Sequence, residues 1–284
     1  RGIEMNLEWR DKTESGFEYN VGVNMSTIRN RMTKLNGGTP ISDGPFRNGS
    51  MYLTYTNEGM PIGAFWGYKT DGLIQTQEQL NAVKRADFQP NAELGDVLFV
   101  DTNGDGKLDS SDRCMIGNPI PDIIYGINMG MAWKGFDLNL QFGGTIGNQI
   151  FNAMRYYTYF PNDITNKDRA LMNYWTPNNT NTDIPRLTAT DVNDNDRFSD
   201  MYVENGTYFR LRNAQLGYTL PASLTQRIKL QKVRFYVSGQ NLFTISSYSG
   251  MDPEVGQSSS LSRGIDYGIY PQNISFTGGI NVTF

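Results

Sequence analysis

Ile274-Ser275-Phe276-Thr277-Gly278-Gly279-Ile280-Asn281-Val282-Thr283-Phe284, the last stretch of the sequence, decides the fold. Its apolar side chains alternate with polar or small ones, which is the period of a β-strand with one apolar and one polar face. Chain termini usually fray. The last strand of an outer-membrane barrel, in contrast, closes the sheet and places an aromatic residue at the membrane interface. Two interpretations are therefore open: a membrane barrel, or a soluble β-sandwich whose last strand packs in the core.

The composition excludes several functional classes. The 284 residues include 30 Gly, 16 Tyr and 15 Phe, a single cysteine and no histidine. The formal net charge of -4 gives no basic surface for nucleic acid. The sequence contains no run of 18 apolar residues, so no transmembrane helix is predicted. A single cysteine, Cys114, excludes an internal disulfide. Without histidine a Ser-His-Asp triad is absent, and no enzyme is predicted.

The same alternation predicts an all-β chain with seven strands. They lie near residues 2–10, 17–26, 122–133, 136–143, 207–220, 232–243 and 273–284. Lys134-Gly135 is predicted as a two-residue hairpin turn. The apolar phase changes within 207–220, and a bulge near Arg212-Asn213 would reconcile it.

The length and ends of the apolar faces favour a membrane barrel. Each face runs for about ten residues without a charge, which matches a tilted strand that crosses a bilayer. Aromatic residues mark the ends of these faces and predict a girdle at the membrane interface: Trp9, Phe17, Trp133, Phe136 and Phe284.

The connections alternate between short and long, as in outer-membrane barrels with short periplasmic turns and long extracellular loops. The shorter connections are 11–16, 134–135 and 221–231, and the long ones are 27–121, 143–206 and 244–273. We expect the first long connection to add an even number of barrel strands, among them Met51–Tyr55 and Phe65–Lys69, and a short helix at 79–85. The polar stretches Asn178–Asp183 and Asp191–Asp196 are expected in exposed loops.

One loop has the spacing of a calcium site. Residues 101–112 carry oxygen side chains at loop positions 1, 3, 5, 9 and 12, with Gly106 at position 6 for the tight turn. The candidate ligands are Asp101, Asn103, Asp105, Lys107 through its backbone carbonyl, Asp109 and Asp112. The loop resembles those of EF-hands and dockerin modules without a flanking helix pair. A structural Ca²⁺ is the predicted ligand, and a solvated polar turn is the alternative.

Ten stretches together resemble the C-terminal part of a SusC/RagA-type TonB-dependent outer-membrane transporter of Bacteroidetes. They are 59–63, 67–72, 101–113, 116–121, 135–138, 147–148, 208–212, 216–221, 238–243 and 248–254, and the closing strand follows them. The sequence begins within a strand pattern at Arg1, so we expect the signal, the TonB-contact segment, the plug and the earlier strands to lie upstream.

The resemblance implies a transmembrane antiparallel β-barrel of about 22 strands around a plug, in the Gram-negative outer membrane. It implies TonB-driven import of bulky nutrients, glycans or oligopeptides, by a transporter of SusCD type. The implied partners are a SusD-like surface lipoprotein, the TonB complex, the rest of the barrel and plug, and membrane lipid. Two other classes stay open: a secreted soluble β-sandwich that binds glycans through a module with a structural calcium site, and a secreted hydrolase on a β scaffold.

Overall fold

The computed structural model describes residues 1–160, 166–256 and 259–284. The strands in these ranges are β1 (Glu4–Lys12), β2 (Glu18–Thr27), β3 (Ile41–Phe46), β4 (Met51–Thr56), β5 (Ala64–Gly67), β6 (Thr70–Leu73), β7 (Val97–Phe99), β8 (Cys114–Gly117), β9 (Ile123–Trp133), β10 (Phe136–Ile146), β11 (Gln149–Asn152), β12 (Val203–Asn205), β13 (Tyr208–Thr219), β14 (Lys232–Ser246), β15 (Ile265–Asp266) and β16 (Ser275–Thr283). The α-helices are α1 (Gln77–Arg85), α2 (Ala153–Tyr159) and α3 (Ala222–Thr225), and 3-10 helices span Ser110–Asp112, Arg169–Asn173, Asp200–Tyr202 and Gln226–Ile228. No helix within the described ranges has the length and apolar character needed to cross a membrane.

Seven of the strands form one antiparallel sheet, here called the wall. Their order is β1-β2-β9-β10-β13-β14-β16, so each strand pairs with the next wall strand along the chain. All seven predicted strands are confirmed, and β10 and β14 run further than predicted, to Ile146 and Ser246. β1 and β16 are the two edges, and the wall does not close on itself within the described ranges.

The register of the wall places the apolar residues of neighbouring strands side by side. One row joins Val23, Ile127, Phe142, Leu211 and Phe243 as successive cross-strand partners. Because the side-chain period is two, this register puts the apolar faces of these strands on one face of the wall.

The predicted irregularities of the wall are also present. Gln141 pairs with Asn213 and Phe142 pairs with Leu211, so Arg212 is an extra residue on β13. This is the predicted bulge, and it brings the two apolar phases of β13 onto one face. Lys134 and Gly135 both have positive φ angles, 48° and 87°, which defines the predicted tight hairpin turn.

The apolar face of the wall is exposed rather than packed in a core. Leu7, Val237 and Ile280 are 59%, 60% and 60% exposed. A soluble β-sandwich would bury these side chains against a second sheet, so that alternative does not fit the fold. An exposed apolar band of this kind is the lipid-facing surface of a membrane barrel.

The two ends of the wall differ as the sequence predicted. The connections between β1 and β2, β9 and β10, and β13 and β14 are the shorter ones and lie at one end. The five predicted girdle residues stand at the margins of the strands at this same end. The segments 28–122, 147–207 and 247–274 lie at the opposite end, and together they are here called the loop layer.

The loop layer has its own hydrophobic core, to which all three of its segments contribute. The buried residues of this core are Phe46, Leu53, Phe65, Ile116, Phe151, Ala153, Tyr156, Phe198, Tyr202 and Ile265. The strands β3-β4-β5-β8 form one small sheet within the first segment, and β11 of the middle segment pairs with β12 and with β15 of the last segment. An isolated β-bridge between Tyr68 and Ser199 joins the first segment to the middle one.

Two expectations about the loops are wrong. The predicted strands at 51–55 and 65–69 form as β4 and β5 but do not join the wall, because Leu53 and Phe65 are buried in the loop-layer core and β2 pairs directly with β9. The polar stretch 191–196 is not fully exposed either. Asn193 and Asn195 are buried, because their amides satisfy the backbone of Val97. The predicted short helix is confirmed as α1, which begins two residues earlier with a capping box at Thr76.

Candidate functional site

The face of the wall opposite the apolar band carries amides, hydroxyls and a few charges. Its members include Asn20, Asn24, Asn128, Asp137, Asn139, Gln141, Gln215, Arg234, Tyr236, Ser238 and Thr277. Glycines between them leave room for these polar side chains. A Cβ at Gly130, for example, would stand 2.2 Å from Oδ1 of Asn20. In a closed barrel this polar face lines the lumen.

An ion pair crosses three strands of this lumen face near the short-turn end. Arg234 Nε on β14 donates to Asp137 Oδ2 on β10 at 2.8 Å, and Arg234 Nη2 donates to Gln215 Oε1 at 3.1 Å. The pair passes over Gly217 on β13, where a Cβ would stand 2.3 Å from Arg234 Nη2 and 2.5 Å from Asp137 Oδ2. Gly217 is therefore the residue that permits the direct pair between β10 and β14.

A second ionic network, here called the clamp, joins the wall to the last segment of the loop layer. Arg210 on β13 donates to Asp252 Oδ1 at 2.6 Å, to Glu254 Oε2 at 2.8 Å and to Thr244 Oγ1 at 2.8 Å. Arg212, the bulge residue, donates to the other oxygen of Glu254 at 3.1 Å. The clamp thus fixes residues 252–254 against the outer end of β13.

The centre of the clamp is buried, so loss of either charged partner would leave the other as an unpaired buried charge. Arg210 is 1% exposed and Asp252 is 4% exposed. Burial opposes ionisation of the Asp252 carboxyl, but backbone N–H groups of Gln272 and Glu254 and the Arg210 guanidinium together lower its pKa. Asp252 is therefore held as a carboxylate whose hydrogen bonds come from the wall and from its own segment.

Further polar contacts anchor the same segment within the loop layer. Tyr248 donates its hydroxyl proton to Asp266 Oδ2 at 2.6 Å, and burial raises the pKa of this tyrosine. Ser249 donates to both carboxylate oxygens of Glu204, and Asn152 donates to Glu204 Oε1 at 3.0 Å. The segment 248–254 is consequently fixed on both sides, by the wall and by the middle segment of the loop layer.

The predicted calcium loop is one continuous turn, and its carboxylates accept hydrogen bonds from its own backbone. Asp101 accepts from the N–H groups of Gly104 and Gly106 at 2.6 and 2.8 Å. Asp112 is fully buried and accepts from Thr102 N and Asp109 N at 3.0 and 2.9 Å. The contact between Thr102 and Asp112 brings the second and last positions of the loop together.

The other predicted ligands lie on the exposed side of this loop. Asn103 and Asp105 contact each other, and Asp109 caps Ser111 at 2.7 Å. Lys107 donates its backbone N–H to Asp105 Oδ1 at 2.9 Å. Among the residues that the structure describes, no three acidic, histidine or cysteine side chains are gathered closely enough to hold a metal ion.

Two carboxyls of this loop have lowered pKa values. The backbone N–H of Gly106 lowers the pKa of Asp101, and the Ser111 hydroxyl lowers the pKa of Asp109. Both groups are therefore ionised at neutral pH, which is the protonation state that a hard cation requires.

The aromatic stretch 156–160 packs within the loop layer rather than forming an open platform. Tyr156 and Phe160 are buried, and Tyr156 makes edge contacts with Phe46 and Tyr202 at 4.9 and 5.0 Å between ring centroids. Its hydroxyl donates to Asp196 O at 3.1 Å.

The clamp is the feature that sequence reasoning missed. Both of its halves were visible as separate stretches, 208–212 and 248–254, with two arginines in one and two acids in the other. Opposite charges in two conspicuous motifs were the available signal. Their pairing across 42 residues depends on the loop fold and not on any local period.

An exposed apolar band, a polar opposite face, and short turns at one end with a folded loop layer at the other define a transmembrane β-barrel of the outer-membrane type. No protein-family model matches the chain. The TonB-dependent receptor P3 of Formosa agariphila is 36% identical over 296 residues, which cover 100% of this chain and 28% of that protein. The TonB-dependent receptor SusC of Bacteroides thetaiotaomicron is 26% identical over 284 residues, covering 100% of this chain and 26% of that protein.

Solved structures agree with these sequence relatives. The RagAB peptide transporter aligns with a TM-score of 0.76 at 23% identity, over 100% of this chain and 29% of that chain. The RagAB peptide importer in its closed-closed state aligns with a TM-score of 0.75 at 25% identity, over 100% of this chain and 29% of that chain. Over its whole length the chain is therefore similar to part of the SusC/RagA-type TonB-dependent receptors, the family that its motifs predicted. It spans 26–30% of the length of the curated relatives that it matches.

Proposed function

We propose that the chain supplies part of the barrel wall and of the outer loop layer of a transporter that imports bulky nutrients through the outer membrane. The observation that carries this proposal is the match of the whole chain, wall and loops together, to the RagAB peptide transporter fold. The import is active and driven by the TonB complex, which acts on an N-terminal part of the transporter outside this chain.

The chemistry of the lumen face supports a polar, bulky cargo. Amide and hydroxyl groups such as those of Asn128, Asn139 and Ser238 can exchange hydrogen bonds with sugar hydroxyls or with peptide groups. Glycans and oligopeptides both offer such groups, so we propose these two classes of substrate. The chain acts without catalysis, as part of a conduit.

The partners follow from the exposed surfaces. The edges β1 and β16 pair with the remaining strands of the same barrel, the lumen face contacts the plug, and the apolar face contacts lipid. We propose that the loop layer contacts a SusD-like surface lipoprotein that covers the barrel. Nucleic acid is not a proposed partner, because the net charge is -4.

Uptake by cells that carry the full-length transporter tests this proposal. Labelled oligopeptide and oligosaccharide pools are supplied to cells with the transporter, without it, and with it but without TonB. We expect one pool to accumulate only when both the transporter and TonB are present. Accumulation that is equal in all three strains for both pools would contradict the proposed import.

We also propose that the loop 101–112 binds a structural Ca²⁺. The support is the donor set, which consists of hard oxygens at calcium spacing, and the ionised state of Asp101 and Asp109. The ion would be held by Asp101, Asn103, Asp105, Asp109 and Asp112 and by the Lys107 carbonyl, and it would stiffen the loop layer. The exposed carboxylates would have to converge on the ion, because no three acidic side chains are gathered in the described residues.

Terbium luminescence on the purified full-length transporter tests the calcium proposal. Asp101→Ala/Asp105→Ala should abolish a signal that calcium displaces, because it removes two of the charged ligands. Glu78→Ala, which removes an exposed acid of α1, is the control. Equal luminescence in all three proteins, or none in the parent protein, would leave a polar turn without a metal.

A further inference from the structure

Three arginines line one cavity where the outer end of the wall meets the loop layer. The cavity has a volume of about 900 Å³, and its lining includes Arg1, Arg29, Arg31, Asn118 and Asp122. Arg1 and Arg29 lie directly opposite each other, since Arg29 N donates to Arg1 O at 2.7 Å in continuation of the pairing between β1 and β2. Like charges that face each other across two strands are destabilising.

All three arginines are exposed, and none of them forms an ion pair within the described residues, whereas eight of the sixteen arginines of the sequence do. Asp122 is the carboxylate among the lining residues. It stands against Gly147, where a Cβ would lie 2.5 Å from its Oδ2. The lining of the cavity therefore includes three arginines and one carboxylate, in a chain whose net charge is negative.

We propose that this cavity binds an oxyanionic group, a phosphate, sulfate or carboxylate, through Arg29 and Arg31 with Arg1 beside them. A guanidinium presents a planar fork of N–H donors that fits two oxygens of such a group. The bound anion offsets the repulsion between the facing arginines. The volume exceeds that of a bare ion, so the oxyanion can be carried by a larger molecule.

The position of the cavity leaves two sources for this group. The apolar wall face ends beside Ile3, which is exposed, and the arginine pair follows immediately beyond it. Headgroup phosphates of membrane lipid lie at this level, and free anions reach it from the outside. The chemistry of the site is the same for both, and the proposal does not depend on the transport function.

Binding to the full-length transporter in neutral detergent tests the proposal. The probes are inorganic phosphate, with chloride at equal ionic strength as its control, and phosphatidylglycerol in mixed micelles, with phosphatidylcholine as its control. Arg29→Ala and Arg31→Ala should each weaken anion binding about tenfold or more, because each removes a charge-assisted contact. The anion affinity of Arg29→Lys should lie between those of the parent protein and Arg29→Ala, since lysine keeps the charge but lacks the planar fork of N–H donors.

Arg85→Ala is the matched control, because Arg85 is an exposed arginine of the same loop layer. Heat-dependent gel mobility confirms that each variant is folded. Loss of phosphate binding in the cavity variants alone supports a site open to free anions. Loss of phosphatidylglycerol binding alone supports a lipid headgroup site. Affinities for both probes that are unchanged in Arg29→Ala and Arg31→Ala would overturn the proposal.

Discussion

Breaking the clamp should release the segment 247–256 from the wall. Arg210→Met keeps most of the apolar stem but removes the guanidinium, so Asp252 is left as a buried carboxylate without its cation. Removing one partner of a buried ion pair costs about 3–5 kcal/mol. Because about 1.4 kcal/mol changes an equilibrium tenfold, the segment should open roughly a hundredfold to several thousandfold more often.

Hydrogen exchange read by mass spectrometry on the full-length transporter measures this opening. Amides of 247–256 should exchange faster in Arg210→Met, while amides of β10 keep their protection because the wall remains paired. Arg85→Met, which changes an exposed arginine of α1, should leave the exchange unchanged. Asp252→Asn should destabilise the segment much less in the Arg210→Met variant than in the parent protein, because the two side chains act as a pair. Parental exchange rates in Arg210→Met would refute the clamp.

Three more predictions test the wall, the lumen pair and the charge of the clamp. Leu140→Arg should impair assembly by about 2–4 kcal/mol if this residue faces the bilayer midplane. Asn139→Arg on the lumen face should impair assembly less, and heat-dependent gel mobility compares the two variants. Gly217→Val should break the Asp137–Arg234 pair, because its side chain would occupy the space of Arg234 Nη2, and a lowered unfolding temperature checks this. The pKa of Asp252 is lowered in the folded protein. Its contribution to stability is therefore complete above the unfolded pKa of about 3.9 and is lost as the pH falls through the lower pKa of the folded protein. A spin label at Met251→Cys should stay immobile from pH 7 to about pH 5 and loosen only at lower pH.

The wall was predictable because its information is local. Each strand repeats with a period of two, and Lys134-Gly135 sets the register of one hairpin by itself. Even the bulge at Arg212 was visible as a change of phase. The lumen and lipid faces then follow from alternation, without knowledge of any neighbouring strand.

The loop layer was not predictable in the same way, because its structure rests on contacts between distant segments. The strands β4 and β5 look like wall strands in sequence, but Leu53 and Phe65 pack against residues that lie more than 80 positions away, such as Phe151. The clamp has the same origin. Local spacing could nominate the loop 101–112, but it could not fix where the side chains of Asp105 and Asp109 point.

The proposed orientation of the barrel places the loop layer outside the cell and the short turns in the periplasm. Labelling of single cysteines on intact cells with an impermeant maleimide tests it directly, after Cys114→Ser has removed the one thiol of this chain and any cysteine in the rest of the transporter has been replaced. Lys107→Cys in the loop layer should react on intact cells, and Lys134→Cys in the hairpin turn should react only after the outer membrane is opened. Equal reaction of both positions on intact cells would contradict the orientation of the wall and the barrel account built on it.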